Sequence, residues 1–267
     1  MSTRPSAAIT LNDKARARYE LAFDTDQAEL YHHIRPGYQA EILPFLTDDR
    51  PGLAVDLGAG TGLFTKLLVD AGWDVVAVDP AANMLRVLAQ HHPEVTTVVS
   101  SVEDLDTSPW LKRADLVVAA QSWHWIDTAQ GGQKVAELLK PDGVFAVVHH
   151  QIDTSIDWVL RLCRIMHSGD VHSIHAAPKV SEAFTAPQGA WWRWRQHLGV
   201  EQVHQLMMSR AYYLRTTPRQ RNRMHDNLQW YLLDHLGYGN DDIIRLPYVT
   251  AAWRSQKRRL GDDRPKW

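Results

Sequence analysis

Cysteine, long apolar runs and an excess of positive charge are absent or nearly absent from this sequence. Cys163 is its only cysteine, so neither an intrachain disulfide nor a cysteine metal cluster can form. No run of about 18 apolar residues is present to span a membrane, and residues 1–12 lack the apolar stretch of a signal peptide. The formal net charge of -2 creates no positive field that would attract nucleic acid or an anionic membrane. We therefore expect a cytoplasmic protein that binds neither.

The composition is that of a globular protein with a large core. Of 267 residues, 45% are hydrophobic and 22% are charged, which suffices for one large domain or for one domain with a small cap. The 11 tryptophans suit cores, interfaces and substrate pockets. At residues 191–195 the alternation predicts a strand with Trp192 and Trp194 on one face and arginines on the other. The aromatic face either packs in the core or belongs to a cap wall that recognises an anionic or aromatic substrate.

Short apolar runs alternate with helical stretches over residues 53–150. Predicted strands cover residues 53–57, 74–78, 95–99, 115–119 and 144–149. Predicted helices lie between them at 63–71, 82–91 and 128–139, and a Pro-Asp-Gly turn is expected at 141–143, where glycine would permit a positive φ. Such alternation is typical of a buried parallel sheet with right-handed crossovers, which is a doubly wound α/β fold.

The rest of the chain has a different pattern. Residues 155–240 are predicted to be mainly helical, with one helix that begins at Pro218 and ends near His235, and residues 243–253 to form a final strand. We therefore expect four parts. They are N-terminal helices or a lid at 1–50, a cofactor-binding α/β core at 51–154, a mainly helical cap inserted after strand five at 155–240, and the final strand with a C-terminal tail at 241–267.

A glycine-rich segment, residues 55–62, begins in the first predicted strand and leads into the first predicted helix. Small residues here allow the backbone to approach a ligand closely, and the helix N-terminus offers N–H groups. Asp79 ends the second predicted strand, where an acidic side chain meets ribose hydroxyls in nucleotide-binding βαβ units. The combination predicts a nucleotide-type cofactor. The alternative is a tight turn from strand to helix with Asp79 on the surface.

Two cofactors compete for this loop. A dinucleotide site has the pattern G-x-G-x-x-G/A and seats a pyrophosphate on the helix dipole. Here Gly58, Gly60 and Gly62 form the pattern G-x-G-x-G after Asp56. A carboxylate at the end of the strand would repel a pyrophosphate but attract an ammonium group, directly or through water. The residues favour a cofactor with an amino group, and a dinucleotide is the less favoured alternative.

Several short segments resemble those of class I S-adenosylmethionine-dependent methyltransferases, and the resemblance spans most of the chain. They lie at 55–62, 75–80, 99–105, 115–120 and 138–143. Two further segments, YHHIRPGY at 31–38 and QSWHWID at 121–127, are similar to the trans-aconitate methyltransferase-like branch, many of whose members have no assigned substrate. Val102 and Asp106 depart from the alanine and proline that are commoner in the family. The resemblance implies a Rossmann-like methyltransferase sheet and S-adenosyl-L-methionine as cofactor.

The resemblance also implies which residues hold the methionine end of the cofactor. Gly58, Gly60 and the backbone beside them would bed this part, and Asp56 would face its amino group. Tyr31 and Arg35 would close over it, with the Arg35 guanidinium as a candidate partner for the carboxylate.

The adenosine end is assigned in the same way. Asp79 would hold the ribose hydroxyls, and Met84 would pack on the adenine. Ser101, Val102 and Glu103 would line the edge of the adenine, and Gln121 would lie near the sulfonium. The full set implied to bind the cofactor is Tyr31, Arg35, Asp56, Gly58, Ala59, Gly60, Asp79, Pro80, Met84, Ser101, Val102, Glu103 and Gln121.

His124 is the candidate catalytic residue. A sulfonium donor is already activated, so methyl transfer mainly needs proximity, alignment and exclusion of water, and a base only where the acceptor carries a proton. His124 follows the fourth predicted strand, at the rim where ligands bind in such sheets. Alternatively it packs against Trp123 or Trp125. Histidine pairs in this sequence are adjacent rather than spaced for one helical face, so no metal is expected.

The function we expect is methyl transfer to a small molecule, with an oxygen of a carboxylate or hydroxyl as the acceptor. The alternatives are a non-catalytic S-adenosylmethionine-binding regulator and a methyltransferase with a macromolecular acceptor. The tryptophan-rich cap and His124 favour the enzyme, because a pure sensor needs no second pocket. We expect a small-molecule methyl acceptor as the partner, and a monomer or a homodimer.

Overall fold

The computed structural model describes residues 27–47, 50–168 and 174–258 of the chain. Helices and strands are numbered in chain order within these residues. The parts of the predicted lid and C-terminal tail at 1–26, 48–49 and 259–267 lie outside the described residues.

Seven strands form one mixed sheet in the described part of the chain. They are β1 (Leu53–Leu57), β2 (Asp74–Asp79), β3 (Thr96–Val99), β4 (Ala114–Ala120), β5 (Leu139–Ile152), β6 (Gln188–Gly199) and β7 (Ile243–Gln256). Their order in the sheet is β3-β2-β1-β4-β5-β7-β6. Strands β1 to β5 pair in parallel. The Rossmann-like α/β fold predicted from the sequence is confirmed.

Nine α-helices accompany the strands within the described residues. They are α1 (Ala28–Ile34), α2 (Ile42–Leu46), α3 (Leu63–Asp70), α4 (Ala82–His91), α5 (Thr128–Leu138), α6 (Asp157–Ile165), α7 (Val200–Met208), α8 (Ala211–Arg215) and α9 (Pro218–Gln229). Single 3₁₀ turns lie at Ser108–Trp110 and Trp123–Trp125. None of these described helices is long and apolar enough to cross a membrane.

The central strands are apolar because both faces of a parallel sheet are covered. In β1, Val55 lies opposite Val76 of β2 on one side and opposite Val117 of β4 on the other, and all three are buried. This parallel register brings the carboxyl ends of β1, β2 and β4 to one edge of the sheet. The glycine loop (residues 58–62), Asp79 and His124 follow or end these three strands.

The prediction of a Pro-Asp-Gly turn at 141–143 is wrong. These residues are extended and belong to β5, which has a register shift against β4 at this point. Gly143 is not among the glycines with a positive φ in the described residues. A Cβ on Gly143 would lie 2.9 Å from the Ala114 carbonyl oxygen and 2.8 Å from a methyl carbon of Leu139. Glycine is therefore needed here for close approach of neighbouring atoms, and not for a left-handed turn.

The long helix predicted to begin at Pro218 changes its type near its end. Pro218 begins α9, since proline suits the first helical turn, and the Thr217 hydroxyl caps it by accepting the Gln220 N–H at 3.3 Å. The chain then continues as a π-helix at Trp230–His235. The predicted start and end are confirmed, and the π-helical segment was not predicted.

The chain divides into two compact units. The first comprises Met1–Pro36, His150–His175 and Trp191–Thr250, and the second comprises Gly37–His149, Ala176–Ala190 and Ala251–Trp267. The second unit holds β1 to β4 with the glycine loop, and the first holds α6 to α9. The division into four parts made from the sequence stays a prediction.

Strand β6 alternates as predicted between partly buried and exposed residues. Trp194 stacks on Tyr248 within the first unit, with ring centroids 4.8 Å apart, and its indole N–H donates to the Thr250 hydroxyl at 2.9 Å. Arg193 lies on the opposite face, with its side chain 78% exposed. Trp194 therefore packs inside this unit, as expected for an amphipathic strand with solvated arginines.

A chain of hydrogen bonds links three helices of the first unit. His204 of α7 and His225 of α9 share a bond of 2.9 Å between their Nδ1 atoms, and their ring planes differ by 3°. The Tyr213 hydroxyl of α8 lies 2.9 Å from His225 Nε2, and Gln229 Oε1 lies 3.2 Å from His204 Nε2. One Nδ1 must donate and the other must accept, so this bond survives only while no more than one of the two rings is protonated.

Candidate functional site

The glycine loop after β1 contains backbone conformations that glycine adopts readily and that residues with a Cβ rarely adopt. Gly58 and Gly60 have φ values of +71° and +57°, in the left-handed region that a Cβ disfavours. A Cβ on Gly58 would lie 2.4 Å from the Cβ of Ser122, so no side chain fits there. A Cβ on Gly60 would meet no atom of the described residues within 4 Å. The space beside Gly60 is therefore open.

Hydrogen bonds fix this loop to the end of β2. The Ala59 N–H donates to the Val78 carbonyl at 3.1 Å, and the Gly60 N–H donates to Asp79 Oδ2 at 2.9 Å. The other oxygen of Asp79 accepts the Ala81 N–H at 2.8 Å. The Asp79 carboxylate is thus held at the rim of the loop. A carboxylate oxygen accepts more than one hydrogen bond, so these contacts are compatible with ribose hydroxyls.

Asp56, near the end of β1, is completely buried. Its Oδ2 accepts a hydrogen bond of 2.7 Å from the Thr65 hydroxyl, whereas Oδ1 has no hydrogen-bond partner among the described residues. Burial raises the pKa of Asp56 to about 7; the bond from Thr65 opposes this increase, and the charge of Asp79 adds to it. The carboxyl group therefore changes its charge near neutral pH, and one of its oxygens lacks a donor.

The turn predicted to line the adenine follows β3. Val102 in this turn and Met84 of α4 are both buried. The Ser101 hydroxyl donates to Asp104 Oδ2 within the turn at 2.7 Å. Glu103 Oε1 accepts the Asp127 N–H at 2.8 Å. Glu103 therefore supports the start of α5. The roles of these residues toward an adenine stay predictions.

The segment after β4 carries Gln121 and His124. Gln121 has a φ of +60°, which is uncommon for a residue other than glycine, and its N–H donates to the Val148 carbonyl at 2.8 Å. His124 lies on a 3₁₀ turn, with its ring centroid 4.7 Å from that of Trp125 and 6.2 Å from that of His149. His124 is partly exposed. Its ring packs beside that of Trp125, and its catalytic role stays a prediction.

Tyr31 and Arg35 lie together in the first unit. The Arg35 guanidinium carbon is 5.0 Å from the centroid of the Tyr31 ring. Arg35 Nε donates to the Ser209 hydroxyl at 3.0 Å, and its Nη2 donates to the Ser209 carbonyl at 3.1 Å. The structure therefore brings these two residues next to each other. Their contact with the methionine end of the cofactor stays a prediction.

Thr65 and Ser122 belong to this region but were not predicted from the sequence. Thr65 is a fully buried polar residue in the apolar helix α3, and its position in an apolar stretch was the available signal. Ser122 is also buried, and its hydroxyl donates to the Leu57 carbonyl. Nothing in the sequence distinguishes Ser122 from a serine on the surface.

Sequence comparisons connect the chain to known methyltransferases. Residues 55–147 match the family described as Methyltransferase domain. Over 225 residues the chain is 32% identical to a protein of Mycobacterium tuberculosis described as an uncharacterized methyltransferase, and the match covers 84% of this chain and 91% of that protein. A protein of Saccharomyces cerevisiae described as an S-adenosylmethionine-dependent methyltransferase is 30% identical over 126 residues, which cover 43% of each chain.

A solved structure supports the fold. It is that of a protein from Anaeromyxobacter dehalogenans described as a type II methyltransferase, with a TM-score of 0.57. The likeness covers 84% of this chain and 97% of that chain at 22% sequence identity. At this identity the likeness supports the architecture and carries nothing about the acceptor.

Proposed function

Because this chain belongs to the class I S-adenosylmethionine-dependent methyltransferases, we propose that it transfers a methyl group from S-adenosylmethionine to an oxygen of a small molecule. The enzyme class and the cofactor follow from the family, and the acceptor and the residue roles below are proposals. Bound S-adenosylmethionine supplies an already activated methyl group on its sulfonium. The residues of the chain therefore need to bind the cofactor, align the acceptor and exclude water.

The buried carboxyl group of Asp56 is the observation that carries the cofactor site. Its Oδ1 has no partner among the described residues, and an unpaired polar atom in a protein interior is costly. The ammonium group of the cofactor would supply the missing donor and a positive charge, directly or through water. The open space beside Gly60 leaves room for the methionine part. The residues present therefore fit this cofactor.

Asp79 is our proposed partner of the ribose hydroxyls. It ends β2, its carboxylate lies against the Gly60 N–H, and an ionised carboxylate accepts hydrogen bonds but donates none. Buried Met84 and Val102 are apolar neighbours suited to an adenine ring. Ser101 and Glu103 are proposed to line its edge, and Tyr31, Arg35, Ala59, Pro80 and Gln121 complete the proposed cofactor set.

An oxygen acceptor is supported by the segment after β4. His124 is partly exposed there, and a histidine can take the proton of a hydroxyl acceptor near neutral pH. A carboxylate acceptor needs no base and would use His124 for orientation. Residues 31–38 and 121–127 resemble motifs of the trans-aconitate methyltransferase-like branch, and this resemblance favours a small carboxylic acid.

Binding and turnover together test the proposal. S-adenosylhomocysteine binding is measured by calorimetry, and methyl transfer is followed with a labelled donor and a panel of small carboxylic acids and hydroxyl compounds. A methylated small molecule is the expected product. Cofactor binding without transfer to the panel or to a cell extract would favour a regulator. Label found only in the protein or RNA of the extract would favour a macromolecular acceptor.

Asp79→Ala is expected to weaken S-adenosylhomocysteine binding by about tenfold or more, because a charge-assisted hydrogen bond of about 1.5–3 kcal/mol is lost. Asp74→Ala is the matched control, since Asp74 is exposed at the other end of the same strand. Its affinity should equal that of the unchanged protein. A folded Asp79→Ala variant with unchanged affinity would remove the ribose assignment.

A further inference from the structure

Ser122 contacts the glycine loop through its side chain and the His124 turn through its backbone. Its hydroxyl donates to the carbonyl of Leu57, the residue that directly precedes the loop. Its own carbonyl accepts the Trp125 N–H at 2.9 Å, and this bond closes the 3₁₀ turn that carries His124. One buried residue is therefore bonded to both sides of the proposed reaction centre.

The side chain of Ser122 also fits the loop sterically. Its Cβ lies 2.4 Å from the place that a Cβ on Gly58 would occupy. The Gly58 and Ala59 N–H groups meanwhile donate to the Val78 carbonyl at 2.7 and 3.1 Å. The first turn of the loop is thus held by backbone bonds from β2 and by Ser122 from the end of β4.

The residue before Ser122 has an unusual backbone conformation. Gln121 has a φ of +60°, which costs free energy in a residue that has a Cβ. Its N–H is bonded to the Val148 carbonyl of β5. Such strain persists where the surrounding contacts enforce it. Here it lies at the point where the chain leaves β4, and the next residue, Ser122, bonds to Leu57.

We propose that Ser122 is a positioning residue for methyl transfer, because its hydroxyl fixes the first turn of the glycine loop relative to the turn that carries His124. The inference rests on the proposed function, in which the loop beds the methionine part of the cofactor. In-line transfer depends on alignment, and a displacement of about 1 Å can lower a rate by about 100-fold. The hydrogen bond from Ser122 to Leu57 links the loop that would hold the methyl donor to the turn that carries His124. Its loss should therefore change this alignment directly.

Ser122→Ala tests this role, since it keeps the Cβ that packs on Gly58 and removes the hydroxyl. Binding is measured with S-adenosylhomocysteine and with 5′-methylthioadenosine, which lacks the amino-acid part. Ser122→Ala should bind S-adenosylhomocysteine about tenfold more weakly and methylthioadenosine with less than about a twofold change. The Ala59 amide should exchange its hydrogen faster, because the loop opens more often.

Ser168→Ala is the matched control. Ser168 is a buried serine whose hydroxyl donates to a backbone carbonyl, that of Cys163, in the first unit. Ser168→Ala should lower the unfolding temperature by about as much as Ser122→Ala does. It should leave the affinities for S-adenosylhomocysteine and 5′-methylthioadenosine, and the hydrogen-exchange rate of the Ala59 amide, unchanged. Wild-type S-adenosylhomocysteine affinity in Ser122→Ala, or an equal loss for both probes, would overturn the positioning role. An unaltered protein that binds neither probe would overturn the proposed function itself.

Discussion

Protonation of Asp56 should make cofactor binding depend on pH. Its pKa is raised to about 7, chiefly by burial, and a bound ammonium group would favour the charged form. If only this form binds, the apparent affinity is multiplied by the fraction of protein that is ionised. The fraction is about one half at pH 7 and about one eleventh at pH 6. The affinity should therefore fall about tenfold per pH unit below pH 7 and level off above it.

Two ligands and one variant isolate this effect. S-adenosylhomocysteine carries the ammonium group and 5′-methylthioadenosine lacks it, so only the first should show the pH dependence. Calorimetry between about pH 5.5 and 8, in buffers of different ionisation enthalpy, measures the affinity and the protons released. At pH 6 the release should approach about one proton per cofactor. Asp56→Asn should flatten the profile and lower the affinity above pH 7.

An S-adenosylhomocysteine affinity that stays constant over this range, with no proton released, would refute the placement of the ammonium group at Asp56. The same dependence for both ligands would assign the titration to a group elsewhere. A dependence that survives in Asp56→Asn would lead to the same conclusion.

Two further variants test the loop and the first unit. Gly60→Val should abolish S-adenosylhomocysteine binding in calorimetry, because the valine side chain would fill the open space beside the loop. Gly237→Val is the control, since Gly237 also has a positive φ, of +76°, and open space around it. This variant should have a similarly strained backbone and bind S-adenosylhomocysteine normally. The His204–His225 bond should make the first unit sensitive to acid. Burial, followed by the charge of His225, lowers the pKa of His204, while Glu201 opposes the shift. The unfolded state then binds more protons below about pH 6.5, so stability is lost as the pH falls through this value. Thermal unfolding at pH 7 and pH 5 should show a larger drop for the unchanged protein than for His225→Gln, and equal drops would contradict the explanation.

The sheet could be predicted because its central strands are buried on both faces and therefore appear as short apolar runs. The strand predicted at 53–57 and the helix predicted at 82–91 have the observed bounds. The start of β5 could not be predicted in this way. Gly143 has the sequence context of a turn, and the nearby Ala114 carbonyl, which explains the need for glycine, becomes visible only when β4 and β5 are paired.

The candidate site could be predicted where its residues belong to one βαβ unit. The glycine loop, Asp56 and Asp79 follow from local spacing. The hydrogen-bond partners of Thr65 and Ser122, which are Asp56 and Leu57, could not be predicted, because they depend on how α3 and the end of β4 pack. The raised pKa of Asp56 likewise depends on complete burial, and an aspartate at the end of an apolar strand does not by itself determine its own solvation.

Charge at the loop distinguishes the two cofactors that competed for it. Burial and, to a smaller extent, the charge of Asp79 raise the pKa of Asp56, and a pyrophosphate over the loop would add negative charge and raise it further. The Gly60 N–H, which a pyrophosphate would use, is already bonded to the Asp79 carboxylate. A ligand with an ammonium group and ribose hydroxyls has the opposite effect, since it lowers the pKa of Asp56 and donates to Asp79. The increase in the pKa of Asp56 from 3.8 to about 7 corresponds to a free energy of about 4 kcal/mol. This is the largest contribution to binding that a cation can make by returning the pKa of Asp56 to its ordinary value.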